Sequence, residues 1–137
     1  MTRLVVLDDE AVQALRDTGH PKHRHVVSQA QVVASRKRRA VAIQVVVPTA
    51  VRVEAGWDRT SPAWVFPNRL RIADSPLDTA SASTAAGIRD RTGVSVADSH
   101  IGAVIQSVPG GHITVVTSDP GDMRLVAGDK NITVAAI

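Results

Sequence analysis

The sequence predicts an α/β fold built on a parallel sheet covered on both faces, and three observations predict it. Short apolar runs of strand length alternate along the chain with segments of helical periodicity. The first run, Leu4-Val5-Val6-Leu7, has no polar interruption, as in strands buried on both faces of a parallel sheet. It also ends on an acid, Asp8, at the carboxyl edge where open α/β sheets receive their ligands.

Each element follows in order. After Asp8, the segment Glu10 to Asp17 carries Ala11, Val12 and Leu15 at helical spacing and stops near Gly19. A second helix is expected from Lys22 to Arg39, its stripe marked by Val26, Val27, Ala30, Val33 and Ala34. Its last turn is Arg36-Lys37-Arg38-Arg39, cations placed where the helix dipole favours them. Ala40 to Val47 is the second buried strand, closed by Pro48, and Thr49 can cap a helix running to Gly56 that carries Glu54. Trp57 to Asn68 reads as an irregular connection, because Pro62 and Pro67 exclude regular structure through most of it. Leu70-Arg71-Ile72 is a short strand.

Ser75-Pro76-Leu77-Asp78 then announces a helix, with a capping serine and a first-turn proline, that runs to Arg91 and ends at Gly93. The next helix opens with Ser95-Val96-Ala97-Asp98 and continues through Ile101, Val104 and Ile105. Gly110-Gly111 leads into the strand His112 to Thr117. Asp119-Pro120-Gly121-Asp122 starts one more helix, and Asn131 to Ala135 makes a final strand.

Composition bounds what such a fold can be. A chain of 137 residues with 44% hydrophobic content fits one domain, residues 1–137, with one core. No apolar run reaches the length of a membrane span, and acids follow the first four apolar residues too soon for a secretory pattern. Both points predict a cytoplasmic chain. The absence of cysteine excludes disulfides and thiolate metal sites. The net charge of +3 is unevenly spread: residues 1–40 hold eight Lys and Arg against four acids, and the remainder holds eight against nine. A basic face suits a polyanion, and the run Arg36 to Arg39 reads either as an RNA contact or as a dipole-compensating helix end. Trp57, Trp64 and Phe66 are the only aromatics, too few for a base-stacking platform.

Taken singly, Asp8, Asp98 and Asp119 each have a structural reading as helix-capping residues. Glu54 lies inside a helix, where a cap has no use for it, and its bland reading is exposure. Together they are harder to dismiss. Asp8 and Asp119 end buried strands at one edge of a parallel sheet, and Asp98 opens a helix that starts nearby. Crowded carboxylates repel unless a cation neutralises them, and an all-oxygen set without Cys selects a hard ion, Mg²⁺ or Mn²⁺. Such a cluster serves phosphodiester hydrolysis.

Four segments carry a resemblance that spans the chain in order. They are Leu4 to Asp8, Pro48-Thr49-Ala50-Val51-Arg52-Val53-Glu54, Val96-Ala97-Asp98-Ser99-His100-Ile101-Gly102-Ala103, and Val115-Val116-Thr117-Ser118-Asp119-Pro120-Gly121-Asp122. This set resembles the four motifs of PIN-domain ribonucleases, and among them the VapC-type toxins of bacterial toxin–antitoxin pairs. The resemblance implies a three-layer α/β/α sandwich with a central, mostly parallel sheet. It also implies Mg²⁺- or Mn²⁺-dependent RNA cleavage, homodimers, and inhibition by a bound antitoxin. Carried over by motif, Asp8, Glu54, Asp98 and Asp119 are the metal-binding acids. Asp122 shares the last motif, and family members differ in which of the two contributes. Thr117 or Ser118 is placed to orient the site. Asp9 departs from the family pattern, which has a small or hydroxyl residue there, so an extra carboxylate stands at the site.

His20, His23 and His25 crowd into a stretch rich in Lys and Arg, a poor place for a divalent cation. His100 follows Asp98 by two residues, which turns it roughly 200° away on a helix. These four read as surface or packing residues, and His112 simply begins a strand. A signalling receiver domain also begins with a buried strand ending in acids, but it needs a Lys ending its fifth strand. Lys22, Lys37 and Lys130 do not meet that requirement. The other alternative is a PIN-like binding module without activity.

Overall fold

A computed structural model describes residues 2–28 and 42–137 of the chain. In order these form β1 (Thr2–Leu7), α1 (Asp9–Arg16), a helical stretch α2 (residues 23–28), β2 (Ala42–Pro48) and α3 (Thr49–Ala55). A 3₁₀ turn (Pro62–Trp64), α4 (Val65–Arg69), β3 (Ile72–Ser75), α5 (Thr79–Thr92) and α6 (Val96–Ser107) follow. Then come β4 (His112–Thr117), α7 (Pro120–Ala127) and β5 (Thr133–Ala136).

The five strands form one sheet in the order β3-β2-β1-β4-β5, every pair parallel. The α/β fold expected from the alternating pattern is therefore the fold observed. β1 lies at the centre, as its uninterrupted apolar run requires: Leu4, Val6 and Leu7 are buried. The chain winds from β1 outward to β3, then crosses back to β4 on the other side of β1. Right-handed crossovers in opposite directions put their helices on opposite faces of the sheet. Accordingly α1 packs with α4, and the trio α5, α6 and α7 packs together, while α3 contacts both α1 and α6. The reversal of strand order falls between β1 and β4, and this switch point opens a crevice at their carboxyl ends.

Side chains from both layers fill the core, with Leu15 on α1, Ile101 and Ile105 on α6, and Met123 on α7 all fully buried. α6 is the most enclosed helix, with eight consecutive-spanning positions from Ala97 to Ile105, Asp98 excepted, shut away from solvent. Trp57 and Trp64 are also buried and stack at 5.6 Å, so the two tryptophans serve the core. Among the described residues, no helix is long and apolar enough to cross a membrane.

The structure corrects several local expectations. Thr49 does not cap α3: Pro48 is the capping residue, and the Thr49 hydroxyl instead accepts from the Leu77 N–H at 3.1 Å. The stretch from Trp57 to Asn68 is not irregular throughout. Pro62 opens the 3₁₀ turn and Pro67 is the third residue of α4, positions where a missing N–H removes no helical bond. β3 begins at Ile72, two residues later than expected, because Val45 to Pro48 of β2 pair with Ile72 to Ser75. Ser75 therefore belongs to a strand, and the cap of α5 is Asp78, which accepts from the Ser81 N–H at 2.8 Å. The last strand is shifted similarly, to Thr133–Ala136. The expected helix beyond residue 28, the basic run Arg36 to Arg39 and the first residues of the second strand, Ala40 and Val41, lie outside the described residues.

Candidate functional site

Asp8 follows the last residue of β1 and is buried, with 6% of its surface exposed. Its N–H donates to the Val116 carbonyl at 3.1 Å, so β1 and β4 are still paired where the side chain emerges. Oδ1 accepts from the Ala11 N–H at 2.8 Å, capping α1, and Oδ2 accepts from the Ser118 N–H at 3.1 Å. The hydroxyl of the buried Thr117 also bonds the Asp8 carboxyl, and Thr117 Oγ1 accepts from the Asp119 N–H at 2.8 Å. Thr117 thus ties the first and last acids together, and Ser118 contributes its backbone. Burial raises the pKa of Asp8, with the Asp9 charge adding to the rise, against the three hydrogen bonds that favour the carboxylate.

Asp119 caps α7, its Oδ1 accepting from the Asp122 N–H at 3.2 Å, with Pro120 in the first turn. Asp98 lies in the first turn of α6, where Ser95 Oγ accepts from its N–H at 3.1 Å. The expected capping arrangements of both helices are present. They coexist with a second effect. The Asp98 carboxyl is pushed up to about 6, first by burial and then by Asp122, Asp8, Glu54 and Asp119. Among the described residues, the charges that raise it are carboxylates. Glu54, exposed on α3, is raised by burial, then by Asp9 and Asp8. Asp122 is raised by burial and by Asp119. The structure thus brings the fields of Asp8, Glu54, Asp98, Asp119 and Asp122 onto one edge of the sheet, with Asp9 joined to them.

Whether this edge suits a metal rests on its donors. They are all carboxylate oxygens, the chemistry of a hard divalent cation. Asp9 Oδ1 is shut off from solvent with no hydrogen-bond partner among the described residues. Against this, among the described residues no group of three or more such side chains is disposed to hold an ion as it stands.

The histidines stand as expected. His20 Nε2 meets Glu10 at 2.9 Å and His23 Nδ1 meets the Ala14 carbonyl at 2.6 Å. His100 is fully buried, and its role had no local signal. Its Nδ1 accepts from the Ala50 N–H at 3.2 Å, fifty residues away in sequence, satisfying a donor in the first turn of α3 that Pro48 cannot cap. Burial lowers its pKa, against the Pro76 backbone and Asp78, which keeps the imidazole in the neutral form that can accept. His100 therefore fixes α3, and with it Glu54, to the helix that carries Asp98.

Fold and strand order define the class: an α/β domain with a five-stranded parallel sheet in the order β3-β2-β1-β4-β5. The particular likeness is to the solved structure of FitAB bound to an IR36 DNA fragment, with a TM-score of 0.55 over 96% of this chain and 94% of that one. Identity is 19%, so the likeness shows the fold alone. No family model and no curated protein matches the sequence.

Proposed function

We propose that this protein is a Mg²⁺- or Mn²⁺-dependent endoribonuclease, the VapC-type toxin of a toxin–antitoxin pair acting in the cytoplasm. One observation carries the reading: the Asp98 carboxyl is raised by four other carboxylates drawn from three further segments. Proteins do not crowd acids at a strand-order switch point without a use for them. Asp8, Glu54, Asp98 and Asp119 would hold the cation, with Asp122 beside Asp119. When bound, a divalent cation supplies an activated water and charge neutralisation on the leaving oxygen. The chain's own contribution is order. Asp8 is locked by Ala11, Thr117 and Ser118, while Glu54 rides on a helix pinned by His100.

The partners are those that the motif resemblance implies. RNA is the substrate, and the antitoxin is the protein partner. An apolar groove of about 490 Å³ adjoins Glu54, lined by the exposed side chains of Val53, Leu77 and Val96, and supports binding of such a partner. Homodimerisation is supported by α5, which buries only Ala85 and Ile88 and leaves Ala82, Ala86 and Gly87 exposed for close helix approach.

A second reading, a PIN-like module that binds without cleaving, is favoured by the absence of a preformed three-ligand group among the described residues. Incubation with structured RNA separates the two. The ribonuclease reading expects cleavage with Mn²⁺ or Mg²⁺ that EDTA abolishes and Asp8→Asn removes. RNA binding with no metal-dependent cleavage would establish the module instead.

A further inference from the structure

We infer that His100 is a positioning residue for cleavage: by holding the first turn of α3, it sets the direction in which Glu54 meets the acid edge. The inference rests on the ribonuclease reading proposed above and adds to it a residue that touches neither substrate nor cation.

α3 is too short to hold its own place. A helix of seven residues is not stable alone, and the start of this one lacks the usual device. Pro48 offers no side-chain cap, and the Thr49 hydroxyl is engaged by the Leu77 N–H at 3.1 Å. The Ala50 N–H is met instead from another helix, by His100 Nδ1 at 3.2 Å. His100 is fully buried, so its ring is held by packing and offers α3 a fixed point.

The geometry of the two helices directs that bond toward Glu54. Ala50 and Glu54 stand one turn apart on the same face of α3, and both line the groove beside Leu77, Val96 and Ala97. On α6, Asp98 and His100 point roughly 200° apart, so the helix supplies one acid directly and orients another through its opposite side. The far end of α3 is tied separately. Gln13 Nε2 donates to the Ala55 carbonyl at 3.0 Å, and Arg52 donates to Asp74 at 2.9 Å. With both ends fixed, the helix can neither slide nor turn. The second ring nitrogen of His100, Nε2, is buried and faces the backbone of Pro76, next to the Leu77 that bonds Thr49. One imidazole thus joins α6, α3 and the segment before α5.

The test compares His100→Asn, whose Oδ1 can take the place of Nδ1, with His100→Gln and His100→Leu, which leave the Ala50 N–H unmet. Melting in EDTA establishes that each folds, and His100→Gln decides if His100→Leu does not. Amide exchange at Ala50, measured in EDTA, should be about tenfold or more faster in the Gln and Leu variants and near wild type in His100→Asn. With Mn²⁺ and saturating RNA, kcat should fall about tenfold to a hundredfold in the same two variants, with little change in KM. His100→Asn should retain most of the activity. Unchanged Ala50 exchange, or cleavage that follows melting temperature whichever acceptor stands at position 100, would overturn the inference and leave the ribonuclease reading standing. No metal-dependent cleavage by wild type would overturn both.

Discussion

At the scale of single residues, Asp98 carries two burdens at once. Its N–H is capped by Ser95, and its carboxyl sits in a field of four other acids. The capping signal was legible because it is local, written in four adjacent residues. The field was legible only through the ordered motifs, since Asp8, Glu54 and Asp119 lie far away in sequence. His100 shows the limit: no spacing rule points from it to Ala50, because their contact is made by packing of α6 on α3. The raised pKa of Asp98 has a stability consequence whose sign is fixed by linkage. The folded state keeps its proton up to about pH 6, well above the ordinary carboxylate range, so the folded state binds more protons in that interval. Without metal, wild type should lose stability as pH rises from about 4 to about 6, and Asp98→Asn should not lose that part. Urea midpoints in EDTA at pH 4 and pH 7 check it. The mutant should gain on wild type at the higher pH, and a gap that is the same at both would contradict the account.

At the scale of elements, periodicity and caps located β1, α1, α6, β4 and α7, where the apolar pattern is strong. They failed where tertiary pairing decides. β3 is placed by its register with β2 and by Asp74, which accepts from Arg52 at 2.9 Å and Arg59 at 2.8 Å. A four-residue edge strand holds no pattern of its own to announce this. The prolines at 62 and 67 misled for a different reason, because a proline bars the interior of a helix but not its first turn. The α5–α6–α7 layer yields a prediction. At Gly102 an added Cβ would stand 2.8 Å from Ile88 Cδ1 and 2.9 Å from Val126 Cβ. Val126 Cβ is attached to backbone and cannot swing away. Gly102→Ala should therefore destabilise the protein by about 1–3 kcal/mol, read from chemical denaturation. The solvent-facing Gly87→Ala has nothing within 4 Å and should be neutral or stabilising.

At the scale of the whole molecule, strand order explains why acids from distant segments meet. β1 and β4 are adjacent and parallel, so residues following each emerge at the same edge, and the Asp8 N–H still bonds Val116. The sequence foretold a parallel sheet, but alternation alone cannot say which strands are neighbours. The 3-2-1-4-5 order comes from the structure. The central claim is that these carboxylates form one unit that a divalent cation completes. Its most direct test is the melting temperature of wild type and Asp98→Asn at pH 7.5, each in EDTA and in excess Mn²⁺. A ligand stabilises only the state that binds it. The account predicts a clear rise with Mn²⁺ in wild type and a much smaller one in Asp98→Asn, which should start higher in EDTA. Equal rises in the two proteins, or none in either, would contradict it.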